Sequence, residues 1–170
     1  MSNQVLFSET QKFRQWWVWL ILLLVVGLVA FVAIVVVGEE SSEDKTMPMP
    51  MIILVSTGLF ILVPTVLLFF NMKLETHIKD EGLNVRFFPF HMTFKEYKWD
   101  SISKSYVRQY NPIGEYGGWG LRIGPAGKAF NVSGDKGLQL EFVDNKKLLI
   151  GTNKPDELGE VLTRIGQLKG

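Results

Sequence analysis

The 170-residue chain contains no cysteine. That excludes a disulfide framework, a thiolate-ligated zinc site and a cysteine nucleophile. It has only two histidines, His77 and His91, and neither lies in a His-x-His or HExxH pattern. A zinc centre needs three or four converging ligands, so no metal is expected. No sign of charge dominates either. Eighteen Lys/Arg against seventeen Asp/Glu leave a formal charge of +1, and no global field points to nucleic acid. There is no G-x-S-x-G elbow and no S-x-x-K. Glu96 and Asp100 form a carboxylate pair without a cleft signal, and Asp100 suits a turn cap. The expectation is a non-enzyme with no catalytic residue and no cofactor.

Two long uncharged runs are present. WWVWLILLLVVGLVAFVAIVVV covers residues 16–37, and MIILVSTGLFILVPTVLLFF covers 51–70. At 1.5 Å per residue these reach roughly 33 and 30 Å, the thickness of a bilayer core. The first is too long for a signal-peptide core of roughly 7–15 residues. The reading is a transmembrane hairpin within an N-terminal region 1–71. Trp16, Trp17 and Trp19 begin the first span, where indoles favour the headgroup layer. Together with Lys73 they are the expected membrane-surface contacts. Gly27, Ala30 and Ala33, with Ser56, Thr57 and Gly58, are small residues that permit close helix packing. Neither run carries an ionisable side chain, so the pair reads as an anchor, not a transport path.

Charge is unevenly placed. Before Trp16, Lys12 and Arg14 against Glu9 give +1; from Gly38 to Pro50, Lys45 against Glu39, Glu40, Glu43 and Asp44 gives −3; from Asn71 on, fifteen bases against twelve acids give +3. The positive-inside rule then puts both termini in the cytoplasm of a multi-pass cell-membrane protein.

From Met72 the apolar period becomes two. MKLETHIK and LNVRFFPF read as strands about the Asp80-Glu81-Gly82 turn. TFKEYKW, SKSYVRQY, WGLRIG, KAFNVS, LQLEFV and KLLIGT follow, separated by turn signals. Many short strands at this spacing predict an antiparallel sandwich or small barrel over 72–170. Pro155 with Asp156 and Glu157 opens a final helix. Its Leu158, Val161, Leu162, Ile165 and Leu168 share one face.

EYGGWGLRIGPAGKAF, residues 115–130, is rich in glycine. Gly118, Gly120 and Gly124 read G-x-G-x-x-x-G ahead of a strand, whereas a dinucleotide fingerprint needs G-x-G-x-x-G ahead of a helix. Gly127-Lys128-Ala129 lacks the hydroxyl of a Walker loop. Phosphate cradling is therefore not expected. The stretch reads as turns around a strand with Trp119, Leu121 and Ile123 on one face. Tyr110, Tyr116, Trp119 and Arg122 are types enriched at binding hot spots and are the candidate partner contacts. Lys79 and Arg86 are split by Asp80 and Glu81, which argues against a tight phosphoinositide site.

The Asp80-Glu81-Gly82-Leu83 turn, the Lys98-Trp99-Asp100-Ser101-Ile102 corner, the LQLEFVDNKKLLIGT hairpin and the KPDELGEVL helix start resemble the bacterial membrane-anchored PH-like domain proteins. The resemblance covers residues 16–168. It implies a membrane-anchored α+β fold: a two-helix transmembrane hairpin, then a small antiparallel PH-like β-barrel with a C-terminal capping helix. It implies no catalytic residue. The expected function is a cytoplasmic module that docks a protein partner or a lipid surface. The alternatives are a homo-oligomer-forming structural protein, or an OB-type accessory subunit of a membrane enzyme.

Overall fold

The computed structural model describes residues 4–13, 16–39 and 49–169. The chain divides into two compact units, one of residues 14–70 and one that joins residues 1–13 to 71–170.

The first unit holds helices α1 (Trp16–Glu39) and α2 (Met49–Asn71). Within it a Cβ added at Gly58 would lie 3.5 Å from Val29, whereas one at Gly27 would meet nothing within 4 Å. Among the described residues, close packing of the helices thus falls at Gly58. Trp19 packs edge-on against Phe70 with ring centroids 6.2 Å apart.

The expected membrane hairpin is corrected here. A span needs about 20 consecutive apolar residues. Among the described residues no helix is long and apolar enough to cross a membrane. The two spans at 16–37 and 51–70, the integral bilayer contact and the multi-pass location with cytoplasmic termini are withdrawn on that finding, which concerns helices alone. The side chains of Trp16 and Trp17, and the acidic connection 40–48, lie outside the described residues.

The second unit contains two sheets. The first, in the order β1-β2-β3-β4, is built from β1 (Val5–Lys12), β2 (Lys73–Lys79), β3 (Gly82–Phe88) and β4 (Lys95–Lys98). The second, in the order β5-β8-β9-β7-β6, is built from β5 (Ile102–Gln109), β6 (Gly120–Gly124), β7 (Gly127–Asn131), β8 (Lys136–Phe142) and β9 (Lys147–Gly151). The strands do not close into the expected antiparallel barrel. Each sheet keeps two edges, and β7 runs parallel to β9. The cause is the order of strands: β8 and β9 form a hairpin, and β7 enters on the far side of β9 in β9's own direction.

Alternation explains the core. Leu74, Ile78, Leu83, Val85 and Phe87 line the inner face of the first sheet and are wholly or almost wholly buried. Leu138, Leu140, Leu148 and Ile150 do the same for the second. The final helix α4 (Pro155–Arg164) buries Leu158, Val161 and Leu162. Trp99, in the 3-10 turn Trp99–Ser101 between the sheets, donates its indole N–H to the Lys79 carbonyl at 3.1 Å.

The N-terminal segment, read above as a tail, is strand β1. It pairs antiparallel with β2 from Lys12 opposite Lys73 to Val5 opposite Lys79. Its buried side chains are Phe7, Glu9 and Gln11. Glu9 accepts hydrogen bonds from the Thr152 hydroxyl at 2.6 Å and the Asn153 amide at 2.8 Å, and the Gln11 amide donates to the Gly151 carbonyl at 2.6 Å.

Candidate docking seam

The glycine-rich stretch contains a short helix, α3 (Pro112–Tyr116). Asn111 caps it, accepting from the Gly114 amide at 2.9 Å, while Glu115 reaches back to the Asn111 amide at 2.8 Å. Gly117 ends it in the left-handed region at φ 71°, and the Gly118 amide returns to the Pro112 carbonyl at 2.8 Å. Each terminus is therefore capped, the first by a side chain and the second by a left-handed glycine. Arg108 clamps the helix through a two-pronged ion pair to Glu115, at 2.6 and 3.2 Å. The Arg108 guanidinium holds the Glu115 carboxyl below its ordinary value.

This arrangement places the expected contact residues differently from one another. Tyr110 and Tyr116 are core residues, each 4% exposed, packed edge-on with Ala129 and Leu149 beside them. Burial pushes the Tyr110 hydroxyl up to about 12, and it accepts from the Asn131 side chain at 3.0 Å. Trp119 is half-buried, with its indole N–H donated to the Gly134 carbonyl at 3.0 Å. Arg122 is exposed; its Nε donates to the Trp119 carbonyl at 3.0 Å. Only Arg122 and part of Trp119 are available to a partner. Trp19 is also exposed, on α1. Lys73 is paired with Glu75 at 2.9 Å and lies over the Phe88 ring.

The surface that does stand open lies along β6. Ile123 is 76% exposed, and Leu121 is exposed beside it. Among the described residues β6 pairs with β7 alone. β4 lies near that pair: Lys95 sits 6.0 Å from the Phe130 ring of β7, and His91 packs on the same ring at 5.3 Å. Tyr97 of β4 and Ile123 of β6 line one groove of about 740 Å³, floored also by Phe142, Leu148 and Ala126. Lys128, Lys146 and Lys147 rim it. Lys146 is paired with Asp144 and Lys147 with Glu141. Lys95 and Lys128 carry no ion pair among the described residues. At the other end of this seam Phe90 and Met92 stand in solvent on the β3–β4 loop.

The edges of the two sheets are not treated alike. The edge of β5 is bridged at Ser105, which exchanges two backbone hydrogen bonds with Lys169 at 2.8 Å. The β4 edge carries Lys95, Glu96 and Lys98, all exposed charges that oppose pairing. The β6 edge presents Leu121 and Ile123 instead. The sequence showed the apolar alternation of these residues. Nothing in the sequence showed that their strand would end a sheet, since that follows from the β7–β9 pairing.

Among the described residues no group of three or more His, Asp and Glu could hold a metal ion. His77 stacks on Phe94 at 4.9 Å, and burial lowers its pKa; burial and the charge of Lys95 do the same for His91. Among the described residues that line the groove no nucleophile stands beside a base. No protein-family profile matches the chain, and neither a curated protein nor a solved structure matches it.

Proposed function

We propose that this chain is a non-catalytic docking module that binds a protein partner along the seam between β4 and β6. The carrying observation is the apolar, uncovered edge of β6 above an apolar groove. An exposed flat hydrophobic edge is an aggregation hazard that folded proteins ordinarily block. Here the β5 edge is bridged at Ser105 and the β4 edge is charged, so an unblocked β6 edge fits a surface that is used. Protein is favoured over lipid because a strand edge offers backbone donors and acceptors. Another polypeptide satisfies those groups, and lipid tails do not.

The test is site-specific photocrosslinking in the full chain. A photoreactive residue is placed at position 123, with a control at position 160 on the exposed side of α4. Adducts formed from 123 and not from 160, mapping to one segment of one partner, support the reading. Equal adducts from both positions, or none from 123, refute it. Adducts joining two copies of this chain assign the seam to self-association instead.

A further inference from the structure

We infer that the ligand of this seam is a single extended peptide strand, apolar and acidic at alternate positions, that adds to the free edge of β6. The inference rests on the docking reading above and specifies its partner.

The backbone argument comes first. β6 and β7 form a tight hairpin from Gly120 opposite Asn131 to Gly124 opposite Gly127. In an antiparallel pair alternate residues bond inward to the partner strand, and those between them direct their N–H and C=O groups outward. Among the described residues no covering strand accepts the outward groups of β6. Addition of a strand to such an edge supplies main-chain hydrogen bonds, and alternate side chains then read the two faces.

The side-chain argument gives the alternation. Ile123 lines the groove with Tyr97 and Phe142, and Leu121, two residues before it on β6, shares its face of the strand. Arg122 projects to the opposite face. Its guanidinium lies over the two glycines before it, where a Cβ at Gly118 or Gly120 would come within 3.6 or 3.7 Å of it. It forms no ion pair among the described residues. An added strand with apolar residues inward would cover Leu121 and Ile123, and its outward residues would stand beside Arg122. Acidic residues suit that row. Lys128 at the groove rim and Lys95 beside the Phe130 ring, neither in an ion pair among the described residues, add attraction for the same sign of charge.

The probe is a short capped peptide of alternating valine and glutamate, titrated against the full-length protein and read by amide hydrogen exchange. The expected result is slowed exchange at Leu121 and Ile123, with affinity falling roughly tenfold in Arg122→Glu. A melting curve shows whether that variant folds, and Lys128→Glu provides a second reading on the groove side. A valine–lysine peptide should give no protection, nor should the valine–glutamate peptide methylated at alternate amide nitrogens. Absence of protection by the valine–glutamate peptide overturns the inference, as does equal protection by the methylated or basic controls. Amides already protected in the free protein, in a concentration-dependent way, would give the edge to a second copy and also overturn it. If partner adducts at position 123 persist while the peptide fails, the docking reading survives and only the added-strand mode is lost.

Discussion

Replacing Glu9 by glutamine tests how the first strand is held to the sheet unit. The Glu9 carboxylate takes two donors, the Thr152 hydroxyl at 2.6 Å and the Asn153 amide at 2.8 Å. The Thr152 oxygen accepts in turn from the Lys154 amide at 3.0 Å, so the pair organises the turn into α4. Glutamine retains one acceptor oxygen for two donors, and either orientation leaves one donor unpaired. Glu9 is only 7% exposed, so water does not readily replace the lost bond. An orphaned buried donor costs about 1–3 kcal/mol. Taking ~2 kcal/mol, and roughly 4 °C per kcal/mol for a unit of this size, the melting midpoint should fall by ~8 °C. Amide exchange in β1 should accelerate more than exchange in β8. Thr152→Val in the glutamine background should then cost less than it does alone, because the two share one interaction. A glutamine variant that melts within about 1 °C of the native protein would refute this account of the strand's attachment.

Other outcomes follow from the same geometry. Tyr116→Ala empties a core position beside Tyr110 and should cost about 3–4 kcal/mol, whereas Arg122→Ala, on the surface, should cost less than about 0.5 kcal/mol; chemical denaturation separates the two. Gly127→Ala places a Cβ 2.6 Å from the Lys147 carbonyl at φ 109°, and should cost about 2–3 kcal/mol, read by the same method. Acid should destabilise the sheet unit in two steps. His77 and His91 have folded pKa values below their ordinary 6.5, so their contribution is complete above 6.5 and is lost as pH falls through the folded values. Burial raises the Glu75 carboxyl, but hydrogen bonds from Arg86 and Lys73 outweigh it and hold the group below 4.5; its contribution disappears only as pH falls further. A melting temperature that stays flat between about pH 7 and 5 would rule out the first step, and His77→Gln with His91→Gln should abolish it.

The strands after Met72 were legible because their burial alternates with the sequence. All eight expected segments lie on strands β2 to β9. The first strand was not legible. Its inward residues are Phe7, Glu9 and Gln11, so two of its three buried positions are polar and give no apolar period. Its partner β2 lies some sixty residues on in the chain, beyond any local signal. The parallel β7–β9 pairing was hidden for a related reason. Alternation fixes which face a strand buries and is silent about its neighbours, so a barrel and a pair of open sheets have the same pattern. The expected membrane hairpin was a reading of uncharged length alone, and among the described residues no helix is long and apolar enough to cross a membrane.

The aromatic and glycine residues of 110–127 drew attention as a contact surface, and the structure gives most of them a supporting role. Gly124 has no side chain because one would strike the Glu115 carbonyl at 2.6 Å; α3 therefore lies directly against β6. Gly120 adopts φ 121°, and its amide is held by the Asn131 side chain at 2.9 Å. Asn131 also donates to Tyr110, which packs on Tyr116 of α3. Helix, strand and core are thus joined through one buried asparagine. A free edge strand held only by its hairpin would fray, and binding would have to order it at a cost of about 1–2 kcal/mol per residue. Fixing β6 from behind through α3 removes that cost in advance. The residues that prepare the edge are the buried Tyr110, Tyr116 and Asn131; those placed to meet a ligand are Leu121, Arg122 and Ile123. Asn131→Ala should therefore weaken binding of the valine–glutamate peptide without touching it, and should speed exchange of the β6 amides in the free protein. Weakened binding with unchanged β6 exchange would contradict this division of labour.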